Sequence, residues 1–462
     1  MKVVVVAEFY PSRGDPVLGV WAHRQALAAR DAGAEVRVLV LHRVIPPRAS
    51  LDSGLRGALD AMMERLREPR RQLRDGLPVT YVPYVSPDRR LSYASWGAWA
   101  SVPLALALRR IARSFPYELI HAHNAVPAGD AARRAGAAGL CRGAPLVVSV
   151  HGADVFYTAE RVPAGARAVE RNLGAARLVL ANSEGVAELC ASRGARGPRV
   201  VHLGADLPAP AGLGVRDGPP TLVTVAHLVA RKRHADVLRA LAVLGERYPT
   251  MRYAVIGDGP ERAALERLAL RLGVAERVDF LGQMDPGEAI ERARRCTLFV
   301  MPSTEEAFGV AYIEAMAGGV PAIGCRGEPG PEEIAAAGDG MVLVPPGDIE
   351  RLTQRIDELL SDGHRLREAR AHARETVAAH FTLPLPPNTQ SGHVFHLRGK
   401  GLPRVNGGGS GDLHVRVQLW TPERITDEER QLIERLAELQ PGVPADGRGK
   451  GFWAKMKEAL GA

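Results

Sequence analysis

Two carboxylates eight residues apart, Glu306 and Glu314, bracket the pair Phe308-Gly309 in EEAFGVAYIEAMAGGVPAIG, residues 305–324. The apolar, alanine-rich run after Gly309 predicts a helix that ends at Gly318-Gly319. A helix that opens on glycine turns free N–H groups and the positive end of its dipole outward, which suits phosphates or hydroxyls. Glu306 precedes that opening, and Glu314 lies about 8 Å along the axis at 1.5 Å per residue. Two acceptors so placed can hold different ends of one long polyhydroxylated ligand.

Other stretches carry candidate groups. VAHLVARKRH (225–234) holds His227, Arg231 and Lys232; read alone, its RKR is an ordinary basic helix start. VVSVHGADV sets His151 at a strand end before Gly152 and Asp154, where a lone histidine is more often structural. In PSRGDPVLGVW (11–21), Gly14 and Gly19 would let backbone approach phosphates, but the Gly-x-Gly-x-x-Gly pattern of nicotinamide sites is missing. VIGDGPER (255–262) and FLGQM (280–284) end strands with Gly257, Gly259, Gln283 and Met284 at the turns. His121 and His123 of IHAHN either line an acceptor or serve the fold. No Asp-x-Asp stands at a strand end and no His/carboxylate cluster has metal-ligand spacing, so a metal-independent site is expected.

The elements that must position these groups follow from periodicity. Short β-branched runs such as KVVVVAEF, EVRVLVLH and ELIHAH alternate with helical patterns, which implies crossover units and parallel sheets. The alternation pauses at the Pro/Gly-rich 204–220 and resumes with TLVTVAHL, so two doubly wound α/β domains, 1–205 and 206–382, are expected with ligand in the cleft between them. A segment at about 43–115 reads as a solvated, arginine-rich insertion in the first domain, with a surface for acidic lipid or acceptor as the alternative. Within it, 91–108 is marginal as a membrane span and reads as a core or interfacial helix. The net charge of +8 suits an anionic substrate, an acidic membrane surface or nucleic acid equally well. Four distant cysteines, Cys141, Cys190, Cys296 and Cys325, give no disulfide or zinc framework, and MKVVVVAEFYP reads as a first buried strand rather than a signal peptide.

Taken together, Glu-x7-Glu, Phe-Gly, the flanking MPS and EAMAGGVP resemble the retaining nucleotide-sugar glycosyltransferases of family 4, which have the GT-B fold of two Rossmann-like domains. The resemblance implies that Glu306 and the backbone of Phe308 and Gly309 hold the donor sugar, and that Glu314 holds the ribose. It makes Lys232, helped by Arg231, the cation for the leaving diphosphate, and turns His151 toward the donor sugar. It places Gly19, Gly257, Gly259, Gln283 and Met284 around the nucleotide. His227 stands where the family usually carries arginine. The implied reaction is metal-independent transfer with retention from a UDP- or GDP-linked sugar to a glycan, lipid or small-molecule acceptor. No further cofactor and no nucleic acid are expected, and a cytoplasmic location with peripheral contact to an anionic inner membrane face is.

After HFT (380–382) the βα rhythm stops. PPNTQSGHVFHLRGKGLP, GGGSGDLHVRV, TPERITDEERQLIERLAEL and KGFWAKMKEALGA resemble the C-terminal substrate-binding domain of DnaJ-type co-chaperones, mostly β and ending in helices. No His-Pro-Asp loop or Cys-x-x-Cys-x-Gly-x-Gly repeat accompanies them, so the resemblance implies client contact or dimerisation, in a fusion of two unrelated families. Two other readings stand beside transfer: a sugar-nucleotide epimerase on the same architecture, and a non-catalytic binding or chaperone-like protein.

Overall fold

A computed structural model describes the chain except residues 13–14, 16, 46–53, 55, 58–59, 61, 64–69, 88–94, 140–142, 209–217, 383–393, 398–412 and 417–462. It comprises two compact units, Met1–Pro384 and Leu385–Ala462.

The first unit contains two sheets. The strands of the first are β1 (Lys2–Ala7), β2 (Glu35–Arg43), β3 (Arg71–Arg74), β4 (Leu77–Tyr84), β5 (Leu119–His123), β6 (Leu146–Val150), β7 (Leu178–Ala181) and β8 (Arg199–Val200). Their order is β3-β4-β2-β1-β5-β6-β7-β8, parallel throughout except for the β3–β4 hairpin. The second sheet holds β9 (Thr221–Val225), β10 (Arg252–Ile256), β11 (Val278–Gly282), β12 (Leu298–Val300), β13 (Ala322–Cys325) and β14 (Met341–Val344) in the order β11-β10-β9-β12-β13-β14, wholly parallel. Each is a doubly wound Rossmann-like sheet whose order reverses beside its first strand. Val4, Val5 and Val6 are fully buried because helices cover both faces, which is why β1 is a continuous apolar run instead of an alternating one.

Five helices frame the site and its surroundings: α1 (Val20–Asp31), α2 (Trp96–Ala112), α3 (His234–Val243), α4 (Val310–Ala317) and α5 (Gly363–His380). α5 closes the second lobe, with Ala373, Val377 and Phe381 in one core with Met316 of α4.

The described elements within 43–115 belong to the first sheet and its core rather than to an insertion. β4 pairs in parallel with β2 from Val38↔Val79 to Arg43↔Tyr84, and Trp96, Ala100, Leu104 and Leu108 of α2 lie in the lobe's main core. Arginine-rich flanks hid a strand whose Val79, Val82 and Tyr84 are buried. From Trp96 onward the 91–108 stretch forms α2, a core helix with one face exposed. Cys190, Cys296 and Cys325 are buried and form no disulfide among the described residues, and Cys141 lies outside them.

In the second unit, β15 (Val394–Leu397) and β16 (Leu413–Arg416) form an antiparallel pair. The helices expected at the end of this unit lie outside the described residues.

Candidate active site

β9 and β12 are neighbours where the second sheet reverses its strand order, and in open α/β sheets the crevice beyond strand C-termini at such a point receives the ligand. Both chemistry-bearing loops leave the sheet there. After β9 the chain makes one helical turn, Ala230–Lys232, and enters α3 through Arg233 in the left-handed region. After β12 it winds through Ser303 and Glu306 to α4. Glu305 adopts φ +54°, a conformation costing a non-glycine residue roughly 1–2 kcal/mol, at the step that turns Glu306 inward.

These loops bring Lys232 Nζ to 2.5 Å from Glu306 Oε2, and both side chains are about one-tenth exposed. Ser303 Oγ donates to the same oxygen at 2.8 Å, and the Glu306 N–H donates to Glu328 at 2.8 Å. Burial alone would raise the Glu306 carboxyl; the charges of Lys232 and Arg231, with the bonds from Lys232 and Ser303, overcome it and hold Glu306 below the ordinary carboxylate range. Burial also pulls the Lys232 ammonium below its usual value, partly offset by Glu306. The result is an ion pair kept charged in a water-poor crevice. Arg231 stands at its rim, 4.0 Å from Glu306 Oε2 and donating to the Glu305 carbonyl at 3.3 Å.

Gly309 opens α4 with φ +87°, as the sequence requires. Phe308 is buried; its ring stacks on His202 and meets Phe381 edge-on, so its side chain anchors the turn. Glu314, in the second turn, lies 3.3 Å from Arg24 Nη1 of α1, in the other lobe. Burial raises its carboxyl above the usual range against the pull of Arg24. Gln283 Nε2 likewise crosses between lobes, donating to Asp15 Oδ1 at 3.0 Å, while Met284 packs against the second lobe's core.

The first lobe presents a row of imidazoles. His151 Nε2 lies 3.0 Å from His123 Nδ1 with the rings stacked, His121 Nε2 lies 2.8 Å from Ser149 Oγ, and the Trp21 indole is 5.8 Å from the His151 ring. Burial lowers His121 to about 4 and His151 to about 3, and takes His123 well below its ordinary value, so all three are neutral at pH 7. His151 Nδ1 finds no hydrogen-bond partner among the described residues. His123 thus supports His151, while His121 lies beside His123 and bonds Ser149. Asp154 is structural, accepting from the Ala125 and Val126 N–H groups at 2.9 and 3.0 Å, and burial pushes its carboxyl up to about 6.

The His151 turn meets the Glu306 loop directly. Gly152 has φ +104°, and a Cβ there would lie 2.6 Å from the Ala307 Cβ; Ser183 Oγ donates to the Ala307 carbonyl at 2.6 Å. The crevice therefore has Lys232 and Glu306 on one lobe and the turn carrying His151 on the other.

The remaining expected residues divide. A Cβ on Gly257 would lie 2.0 Å from the Ala226 carbonyl oxygen, and one on Gly259 2.5 Å from that of Leu228, so these glycines seat the loop before Lys232. Gly19 has φ +71°, and a Cβ there would strike the Phe9 carbonyl carbon at 2.2 Å, so it lets α1 start against the exit of β1. His227 is exposed on its loop. Gly14 lies outside the described residues. Arg24, Asp15, Ser303 and Glu328 were not legible in advance: no spacing links residue 24 to 314 or 15 to 283.

The model of Glycosyltransferase Family 4 matches residues 18–208, and that of Glycosyl transferases group 1 matches residues 209–376. Residues 18–376 belong to the family 4 glycosyltransferases. The family's GT-B architecture recurs in solved structures that resemble this glycosyltransferase. Anabaena HepE in complex with UDP and glucose is 21% identical with a TM-score of 0.60, and sucrose-phosphate synthase from Thermosynechococcus elongatus is 20% identical with a TM-score of 0.64. Each likeness covers 82% of this chain and 95% of the other, and at such identity speaks for the fold alone.

Among curated proteins, a GDP-mannose-dependent alpha-(1-6)-phosphatidylinositol monomannoside mannosyltransferase of Mycolicibacterium smegmatis is 34% identical over 161 residues, 33% of this chain and 41% of that protein. An exopolysaccharide phosphotransferase of Streptomyces coelicolor is 35% identical over 156 residues, 34% of this chain and 16% of that protein. The C-terminal region matches the chaperone protein DnaJ of Brevibacillus choshinensis, 42% identical over 87 residues, 18% of this chain and 23% of that protein. The chain spans less than half the length of these curated relatives.

Proposed function

We propose that this family 4 glycosyltransferase moves a glycosyl group from a UDP- or GDP-linked sugar to a hydroxyl of a glycan, lipid or small molecule, with retention and without a metal. The supporting observation is the convergence of Lys232 and Glu306 at the switch point of the second sheet, opposite the turn that carries His151. Breaking a glycosyl phosphate places negative charge on the departing diphosphate. A fixed ammonium in a low-dielectric crevice stabilises that charge, with Arg231 and the N–H groups opening α4 beside it. Cationic side chains thereby do the work a metal would otherwise do. The anomeric C–O(phosphate) bond breaks, the acceptor oxygen bonds to the same face of the sugar, and its proton passes to the departing phosphate oxygen. Neutral His151, with Nδ1 unpartnered, suits a sugar hydroxyl rather than a phosphate. Glu314 is the acceptor for ribose hydroxyls once Arg24 releases it.

The GDP-mannose dependence named for one curated relative fits a nucleotide-sugar donor. Incubation of the full chain with a panel of UDP- and GDP-sugars and acceptor glycans tests the reading. Free nucleoside diphosphate with a glycosylated acceptor of unchanged anomeric configuration is expected, and activity should survive EDTA. An isomerised donor would make it an epimerase, and nucleotide binding without turnover would make it a binding protein.

A further inference from the structure

The Gly318-Gly319 pair that ends α4 has two separate tasks. Gly319 has φ +72°, the left-handed turn that stops the helix, whereas Gly318 has an ordinary φ of −82° and is needed for space. A Cβ on Gly318 would lie 2.4 Å from Cγ of Arg294, so the glycine lets that arginine's stem cross the helix end.

The last four carbonyls of a helix lack donors within it, and in α4 each finds one outside. The Gly318 and Gly319 N–H groups donate to Ala315 and Met316, Arg294 Nε donates to the Glu314 carbonyl at 3.2 Å, and Arg374 Nη1 of α5 donates to that of Ala317 at 2.9 Å. Both guanidinium groups then reach on to the segment joining the lobes. Arg294 Nη2 donates to the Asp206 carbonyl at 2.5 Å, and Arg374 Nη2 to that of Pro208 at 2.6 Å. Arg294 Nη1 donates to Glu291 Oε1 at 3.0 Å, and the side chain is 12% exposed. Arg294 is thus anchored through all three of its nitrogens, one of them on the backbone of Glu314.

We propose that Arg294 is a positioning residue for donor binding: fixed to the joining segment, it grips the Glu314 carbonyl and so sets the turn of α4 that aims the Glu314 carboxylate at the ribose hydroxyls. This rests on the reading of Glu314 as the ribose acceptor. A planar fork spans two carbonyls at once, and a lysine ammonium, a single point, does not. Burial raises the Glu314 carboxyl and the Arg294 charge is among those that draw it back, an effect that lysine would keep. Arg294→Lys therefore isolates geometry from charge. Arg374 is the matched comparison, because it makes the same kind of bridge to Ala317, whose methyl group is buried.

Calorimetric titration of the full chain with UDP and GDP, each beside its 2′,3′-dideoxy form, tests it. The preferred ribonucleotide is expected to bind wild type about tenfold more tightly than its dideoxy form, and Glu314→Ala is expected to abolish that preference. Arg294→Lys should cut the preference to about twofold, whereas Arg374→Lys should lower the melting temperature and leave the preference intact. Gly318→Ala, which pushes the Arg294 stem aside, should act as Arg294→Lys does, and it stands in if the lysine variant does not fold. A preference that Glu314→Ala removes but Arg294→Lys and Gly318→Ala both retain overturns this proposal alone. So does an equal loss in Arg374→Lys, which would mean a general loosening of α4. No ribose preference in wild type, or one that Glu314→Ala leaves in place, overturns the ribose reading itself and this proposal with it.

Discussion

At the scale of single residues, the buried Lys232–Glu306 pair is where the proposed chemistry and local stability meet. Lys232→Ala should lower kcat by about 10² to 10³ while donor affinity changes less, because the lost charge acts chiefly on the leaving group. It should also destabilise the fold by about 3 kcal/mol, since it strands Glu306 in the crevice. Steady-state kinetics beside urea denaturation separates the two effects, and an unchanged kcat would remove Lys232 from the mechanism. Glu314→Ala should act differently, weakening donor binding about tenfold through lost hydroxyl contacts. Calorimetric titration with the nucleotide diphosphate measures this, and an unaltered Kd would contradict the ribose role.

At the scale of elements, two loops and a row of histidines set the geometry. Gly259→Ala drives a methyl group into the Leu228 backbone, 2.5 Å from its carbonyl oxygen and 2.8 Å from its nitrogen. That backbone cannot yield without moving the loop before Lys232, so a loss of about 1–3 kcal/mol is expected, together with reduced turnover. Equal melting temperature and activity would show the loop to be indifferent to this contact.

The imidazole row gives a pH dependence whose sign is fixed. His121 and His151 have folded values of about 4 and about 3, below the ordinary 6.5, so the unfolded chain binds more protons across that interval. Their contribution is whole above pH 7 and lost as pH falls through 6.5 toward 4, roughly 2 kcal/mol per histidine by pH 5. Asp154, raised to about 6 from 3.8, works in the opposite sense and recovers roughly 1.4 kcal/mol by pH 5. Net stability should therefore fall between pH 7 and 5. Urea midpoints at several pH values read this directly, and His151→Gln should flatten the slope.

At the scale of the whole first unit, the lobes are tied across the crevice by Arg24–Glu314 and by Gln283–Asp15. Arg24 occupies the carboxylate that the proposed ribose site requires, so donor entry must break this pair. The Arg24 side chain is 45% exposed and the pair correspondingly weak. Arg24→Ala should tighten donor binding about two- to fivefold, measured by nucleotide titration. Weaker binding instead would mean that Arg24 itself touches the donor.

Much of this was legible in the chain because local patterns carry it. Apolar runs and their spacing announce parallel strands, and helix-opening Gly309 announces an anion-friendly terminus, since backbone conformation and burial respond to neighbours in sequence. The same local rule misled at 43–115, where arginine-rich flanks masked β4 and the core face of α2. Tertiary structure alone decided the rest. That Lys232 meets Glu306, that Arg24 covers Glu314, and that Gly257 and Gly259 make room for a neighbouring loop are outcomes of sheet order and lobe packing. Such contacts join residues tens to hundreds of positions apart, and their distances exist only once the chain has closed on itself.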